Sequence, residues 1–375
     1  MRILFCCNTL HGFCNFRLDV VEHLMGKGYS TIIVYPYKDG DEKTLRNLPV
    51  GCRAVQCKMS PCGKSLFQDA GYLFQLLKVF RQENPDLVFN YTVKPNIYGG
   101  IAARIRGIPS VAIAPGLGYT FAKKGVLGYL LRRYYIMGLG LAKSVFVLNS
   151  TDRNNLIDAG LKDNKIVLLD GGEGVNLERF PFSEGDYTHP RFLMISRLRY
   201  DKGYREFVSV AARVKSLYPN ARFEIAGSLN EKNPSGVPRS VVEADERSGY
   251  IRYLGFIEDI SRELADPNTV VVLPSYYREG MNRSLMEACS CGRPVITTNL
   301  PGLKELVVEG ENGFLAEPKN VDSLFQKIVA FMELPEKIRV QMGHKSREIA
   351  EKKFNVDAIK TEYDLAIAKI MNTDV

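Results

Sequence analysis

The chain has 375 residues, of which 45% are hydrophobic and 25% charged; this is the composition of an ordinary globular protein and excludes a disordered chain. At roughly 150 residues per domain, the length suits two domains. Lys and Arg number 50 against 42 Asp and Glu, a net charge of +8, which points to anionic partners without choosing among phosphates, anionic lipid and nucleic acid.

The opening MRILFCCNTL is broken by Asn8 and Thr9 before a signal-peptide core can form, and reads as a first buried strand. The longest apolar region, 126–143, is interrupted by Arg132 and Arg133, so no ~20-residue membrane span is expected. Cysteines occur at 6, 7, 14, 52, 57, 62, 289 and 291. None has the CxxC spacing of a zinc site, and the expectation is buried free thiols in a reducing cytosol.

In chain order, the predicted elements are a strand at 2–7, a helix over 15–28, a strand at 30–36 and an amphipathic helix over 66–83. Strands at 87–91, 110–115, 144–149 and 165–170 follow, with a helix at 97–107. The pattern restarts with strands at 189–198, 221–227, 251–256, 270–274 and 294–299, helices at 205–218 and 283–291, and further helices from 322. Short apolar strands alternating with helices indicate parallel sheets covered on both faces. The expected architecture is α/β: two Rossmann-like, doubly wound domains facing across a cleft, 1–180 and 181–355, with a helix in 356–375 crossing back to the first. Ligands are then expected beyond the carboxyl ends of the strands.

Four segments sit at such ends. In YREGMNRSLMEA (277–288), Asn282 is an N-cap for the helix that follows. The first amides, near Arg283, Ser284 and Leu285, would favour a phosphate. Glu279 in the loop and Glu287 on the helix are acceptors suited to sugar hydroxyls, Glu287 for a ribose diol and Glu279 for a second sugar. In ISRLRYDKG (195–203), Arg197 and Lys202 are placed to neutralise a diphosphate. In NTLHGF (8–13), Gly12 lets backbone approach a ligand or simply makes a turn, and His11 lies nearby. There is no GxGxxG, so a nicotinamide cofactor is disfavoured. In YTVKPN (91–96), Lys94 meets an anionic acceptor or caps the loop.

SRLRYDKG, the Glu279/Glu287 pair and CGRPVITTNLPGLKELVVEGENGFL (291–315) together resemble the retaining glycosyltransferases of family 4, which have the GT-B fold. NYTVKPNIYGGIAARIRGIP and PGLGYTF resemble bacterial members that build surface polysaccharides or lipid-linked glycans. The resemblance implies transfer of a hexose or N-acetylhexosamine from a UDP-sugar to a polyprenyl-diphosphate-linked glycan, with no metal or other cofactor. It implies Arg197 and Lys202 on the donor diphosphate, Glu279 on the donor sugar and Glu287 on the ribose. Gly280, Met281 and Asn282 would touch the sugar through backbone, Ser284 and Leu285 the phosphates through their amides, and Gly12 would lie near the diphosphate. His11 and Lys94 are assigned to the acceptor side. Two departures stand out: Tyr91 replaces a His common in relatives, and Asn282 replaces a Pro.

Lys123, Lys124, Arg132 and Arg133 interleave with apolar and aromatic residues, a pattern suited either to an anionic lipid interface or to a helix packed on its own domain. The expected location is cytoplasmic, peripheral to the inner membrane, with no nucleic acid bound. The alternatives are a nucleotide-sugar epimerase of the same fold and a non-catalytic sugar-binding protein.

Overall fold

In a computed structural model, residues 1–59, 65–118, 121, 125–278 and 280–372 are described. These described residues form two compact units, one lying within 1–173 and 356–372, the other within 174–355.

The first unit is built on seven strands: β1 (Arg2–Cys6), β2 (Ser30–Tyr35), β3 (Arg53–Gln56), β4 (Leu87–Tyr91), β5 (Ser110–Ala114), β6 (Ser144–Val147) and β7 (Ile166–Leu168). They pair in the order 3-2-1-4-5-6-7, all parallel. The central strands β4, β5 and β6 are buried along their whole length, as continuous apolar runs covered on both faces must be. The second unit carries β8 (Arg191–Ile195), β9 (Arg222–Ala226), β10 (Arg252–Gly255), β11 (Thr269–Leu273), β12 (Val295–Thr298) and β13 (Gly313–Ala316). Their order is 10-9-8-11-12-13, again parallel throughout.

Each sheet therefore reverses its winding beside its own first strand, between β1 and β4 in one unit and between β8 and β11 in the other. A doubly wound sheet opens a crevice at that reversal, because the helices on either side leave in opposite directions. All four candidate segments lie at the carboxyl ends of these four strands.

One helix differs from its expected bounds. The helix predicted over 15–28 spans Leu10–Gly26, so His11 and Gly12 lie in its first turn and not in a loop. Leu10, Phe13, Arg17, Val20, Val21 and Leu24 are buried. That i, i+3, i+4 stripe carries the helix back through Gly12 despite its poor propensity.

The closing helix Val356–Asn372 packs within the first unit. The Tyr363 ring lies 5.1 Å from Phe89 and 5.3 Å from Phe146, and its hydroxyl is 2.9 Å from that of Tyr91. Asp364 bonds both His23 and Lys27. At the limits of the second unit the two chain segments meet, the Val175 amide donating to the Phe354 carbonyl at 2.6 Å. The fully buried Arg293 donates to the carbonyls of Cys291 and Asp266 and to Ser183 Oγ. It ties residues 174–190 into this unit.

The seven described cysteines are unpaired, and Cys6, Cys7, Cys57, Cys289 and Cys291 are buried. Burial pushes the Cys289 thiol up to about 12, which makes it an inert core group. Cys62 lies outside the described residues.

Candidate active site

In the second unit, β8 ends at Ile195 and leaves Arg197 exposed just beyond it. The chain then makes a 3-10 turn, Tyr200–Lys202, and Gly203 at φ 84°. A Cβ at position 203 would run into the Pro274 carbonyl, so only glycine lets this turn lie against the end of β11. The Asp201 carbonyl accepts from the amides of Tyr276 and Tyr277, both at 3.0 Å. Two segments 70 residues and more apart in sequence are thereby stapled together.

The staple fixes the cations. Lys202 is buried, with its Nζ 5.3 Å from the centre of the Tyr277 ring. The Arg199 guanidinium lies 4.9 Å over the same ring and also pairs with Asp201. The Tyr277 ring packs against both cations, and Asp201 is the ion-pair partner of one of them. Tyr277 has no signal in the sequence beyond being an aromatic residue in a loop.

Downstream, Gly280 is half-exposed and Met281 buried. Glu279 lies outside the described residues. Asn282 caps the helix Arg283–Ser290, its Oδ1 accepting the Leu285 amide at 3.1 Å. This corrects one expectation: the Leu285 amide is not open to a phosphate, because the cap that defines the helix start consumes it. The Asn282 amide is likewise engaged, donating to the Gly302 carbonyl at 3.3 Å. Ser284 is half-exposed in the first turn.

Glu287 sits one turn further along. Arg283 Nε donates to Glu287 Oε1 at 2.9 Å, and Arg283 Nη1 donates to the Gly174 carbonyl at 3.0 Å. Burial raises the pKa of the Glu287 carboxyl, and the opposing pull comes first from Arg283 and then from Arg179. The i, i+4 spacing of Arg283 and Glu287 on a predicted helix is a pairing signal that the sequence reading left unused.

In the first unit, His11 is exposed and its Nε2 is 3.2 Å from Asn15 Nδ2. A Cβ on Gly12 would meet Thr9 Oγ1, so this glycine accommodates its own cap residue. Lys94, after the end of β4, forms an ion pair with Asp69 at 2.5 Å, and Tyr98 donates to the other carboxylate oxygen. Tyr91 is buried, with the Arg17 guanidinium 4.1 Å over its ring. Arg17 pairs in turn with the buried Glu173.

Lys202 is thus held against Tyr277 of the 275–290 segment, and Arg197 stands exposed at the end of the neighbouring strand β8, at the reversal of one sheet. His11, Gly12 and Lys94 follow the ends of neighbouring strands at the reversal of the other. The arrangement in the second unit supplies cations, a capped helix start and a largely buried carboxylate, groups suited to a diphosphate flanked by hydroxyls.

Residues 16–179 match the family model described as Glycosyltransferase Family 4, and residues 178–349 the one described as Glycosyl transferases group 1. One similar protein is the N,N'-diacetylbacillosaminyl-diphospho-undecaprenol alpha-1,3-N-acetylgalactosaminyltransferase of Campylobacter jejuni, 27% identical, with 93% of this chain and 94% of that protein covered. Another is the UDP-Gal:alpha-D-GlcNAc-diphosphoundecaprenol alpha-1,3-galactosyltransferase of Escherichia coli, 28% identical over 82% of each chain. Among solved structures, Anabaena Alr3699/HepE in complex with UDP and glucose superposes with a TM-score of 0.79 at 19% identity, covering 98% of this chain and 100% of that one. Two parallel-sheet units with these matches identify the chain as a member of the GT-B glycosyltransferases, nucleotide-sugar-dependent enzymes with a family 4 region followed by a group 1 domain.

Proposed function

We propose that the protein is a retaining glycosyltransferase that moves a hexose or N-acetylhexosamine from a UDP-sugar to a polyprenyl-diphosphate-linked glycan in surface-polysaccharide assembly. One arrangement supports this reading: Arg197 and Lys202 follow β8 and the helix bearing Glu287 follows β11, the adjacent strands at which one sheet reverses. The acceptor and donor classes are supported by the names of the similar proteins from Campylobacter jejuni and Escherichia coli. UDP is further supported by the ligand of the Anabaena protein.

In this reading Glu287 accepts from the ribose hydroxyls and Glu279 from those of the donor sugar. Gly280, Met281 and Asn282 line the sugar, and the first turn at Ser284 approaches the diphosphate. The acceptor hydroxyl attacks the anomeric carbon on the face from which the diphosphate departs. The bond from that carbon to the β-phosphate oxygen breaks, its electron pair stays on the phosphate, and a phosphate oxygen takes the acceptor's proton. Arg197 and Lys202 stabilise the charge that develops there, with no metal required. His11, Gly12 and Lys94 serve the acceptor side.

The acceptor's lipid brings in the membrane. No described helix is long and apolar enough to cross one. The helix Gly125–Gly140 instead exposes Val126, Leu127, Leu130, Tyr134 and Met137, with Arg133 also exposed. We assign this face to anionic lipid at the cytoplasmic surface of the inner membrane. Lys123 and Lys124 lie outside the described residues. Changing Lys123, Lys124, Arg132 and Arg133 to Glu abolishes co-sedimentation with anionic liposomes; unchanged co-sedimentation overturns the assignment.

The donor is tested by thermal shift with UDP-, GDP- and ADP-sugars, where tight binding raises the midpoint by mass action. A UDP-sugar stabilises most, transfer to a short polyprenyl-diphosphate glycan retains the anomeric configuration, and EDTA leaves the rate unchanged. A shift with GDP-sugars alone, or an inverted product, defeats the reading.

A further inference from the structure

The chain enters the second unit at Gly174. The carbonyl of that residue is held by Arg283 Nη1 at 3.0 Å, and Nε of the same guanidinium holds Glu287 at 2.9 Å. Arg283 is only 8% exposed. A guanidinium is a rigid planar fork, so fixing one of its bonds fixes the direction of the other. Gly172 and Gly174 both adopt left-handed backbone, with φ of 65° and 72°, which leaves the Gly174 carbonyl pointing where few other residues could place it. Between them, Glu173 is paired with Arg17 inside the first unit.

We propose that Arg283 is the positioning residue for the donor carboxylate. It orients Glu287 and takes its own orientation from the Gly174 carbonyl, so that affinity for the nucleoside diphosphate depends on the backbone at the entrance of the unit. The proposal rests on Glu287 being the ribose ligand. A ribose diol donates two hydrogen bonds and needs an ionised, oriented acceptor. Glu287 faces Arg283 one turn back, Arg179 from the entry segment, Asp259 from the loop before the helix Ser261–Ala265, and the Cys291 thiol beyond its own helix. Arg283 makes the direct bond among these. Burial favours the protonated carboxyl, and removing the nearest counter-charge favours it further.

The test is calorimetric titration of UDP, GDP and ADP into the full-length protein, continued with whichever binds, at pH 6 and pH 8. Glu287→Gln weakens binding by roughly 10- to 100-fold at both values, the loss of a charge-assisted contact. Arg283→Met weakens it at both, and more at the lower pH, the direction in which a carboxyl that has lost its nearest counter-charge gains protons. Arg283→Lys keeps the charge but not the fork, and falls between Arg283→Met and the parent. The double variant Arg283→Met, Glu287→Gln binds no more weakly than Glu287→Gln alone. Gly174→Ala weakens binding severalfold, an effect absent when Arg283 is already Met. Circular dichroism verifies folding, and Arg283→Lys carries the comparison if Arg283→Met does not fold.

Parent-like binding by Arg283→Met or Arg283→Lys, or losses that simply add in the double variant, overturn the positioning role while leaving the site intact. Parent-like binding by Glu287→Gln overturns the assignment of the site itself.

Discussion

The two sheet reversals share one architecture and differ in what their polar groups already hold. At β8/β11, Arg197 is exposed, and Lys202 and Arg199 lie against the Tyr277 ring. At β1/β4, Lys94 is bonded to Asp69, Arg17 to Glu173, and Tyr91 to Tyr363. Doubly wound topology provides a crevice in both places. At the first, an exposed guanidinium stands at the strand end; at the second, Lys94 and Arg17 are each held in a largely buried ion pair. The winding of the sheet says where a ligand goes, and the state of the surrounding pairs says which ligand it can be.

The contrast breaks most sharply at Arg17. Arg17→Met removes the ion-pair partner of the buried Glu173, and urea unfolding shows a loss of about 3–5 kcal/mol. Lys202→Ala acts on the other crevice and on a different property. Initial rates of sugar transfer fall by about 100- to 1000-fold, while stability falls by less than it does at Arg17. If Lys202→Ala instead unfolded the protein at parent-like turnover, the two crevices would not differ as described. The smallest effect is expected from Asp69→Asn, which releases Lys94. Stability falls by roughly 1–3 kcal/mol, and the KM for the lipid-linked acceptor falls by about two- to fivefold as a cation becomes available. A raised acceptor KM would mean that the intact Lys94–Asp69 pair is itself the ligand.

The central strands were readable because apolar runs such as LVFNY and VVVLP have few other fates in a parallel sheet. The sequence reading missed β3 and β13, the edge strands RAVQ and GFLA, which are four residues long and only partly buried. The first helix was placed five residues late, because Gly12 and the NTLHGF stretch imitate a loop while the burial stripe that extends the helix depends on the tertiary fold. In the site, SRLRYDKG and the capped helix at Asn282 were legible from strand-end position and cap chemistry. The cap's cost was not: that Asn282 would use up the Leu285 amide follows from its geometry rather than from its identity. Arg283 was visible as a neighbour of Glu287, but its second bond goes to Gly174, 109 residues away, and no local pattern reports it.

The meeting of Val175 with Phe354 has a consequence for how such enzymes diversify. Because the second unit begins and ends at adjacent points, the stretch 174–355 is a closed cassette spliced into the other unit. On the donor role proposed for this unit, exchanging that one contiguous block between relatives would change the donor while leaving both splice points of the host in place, so recombination would alter which sugar is added without redesigning what receives it.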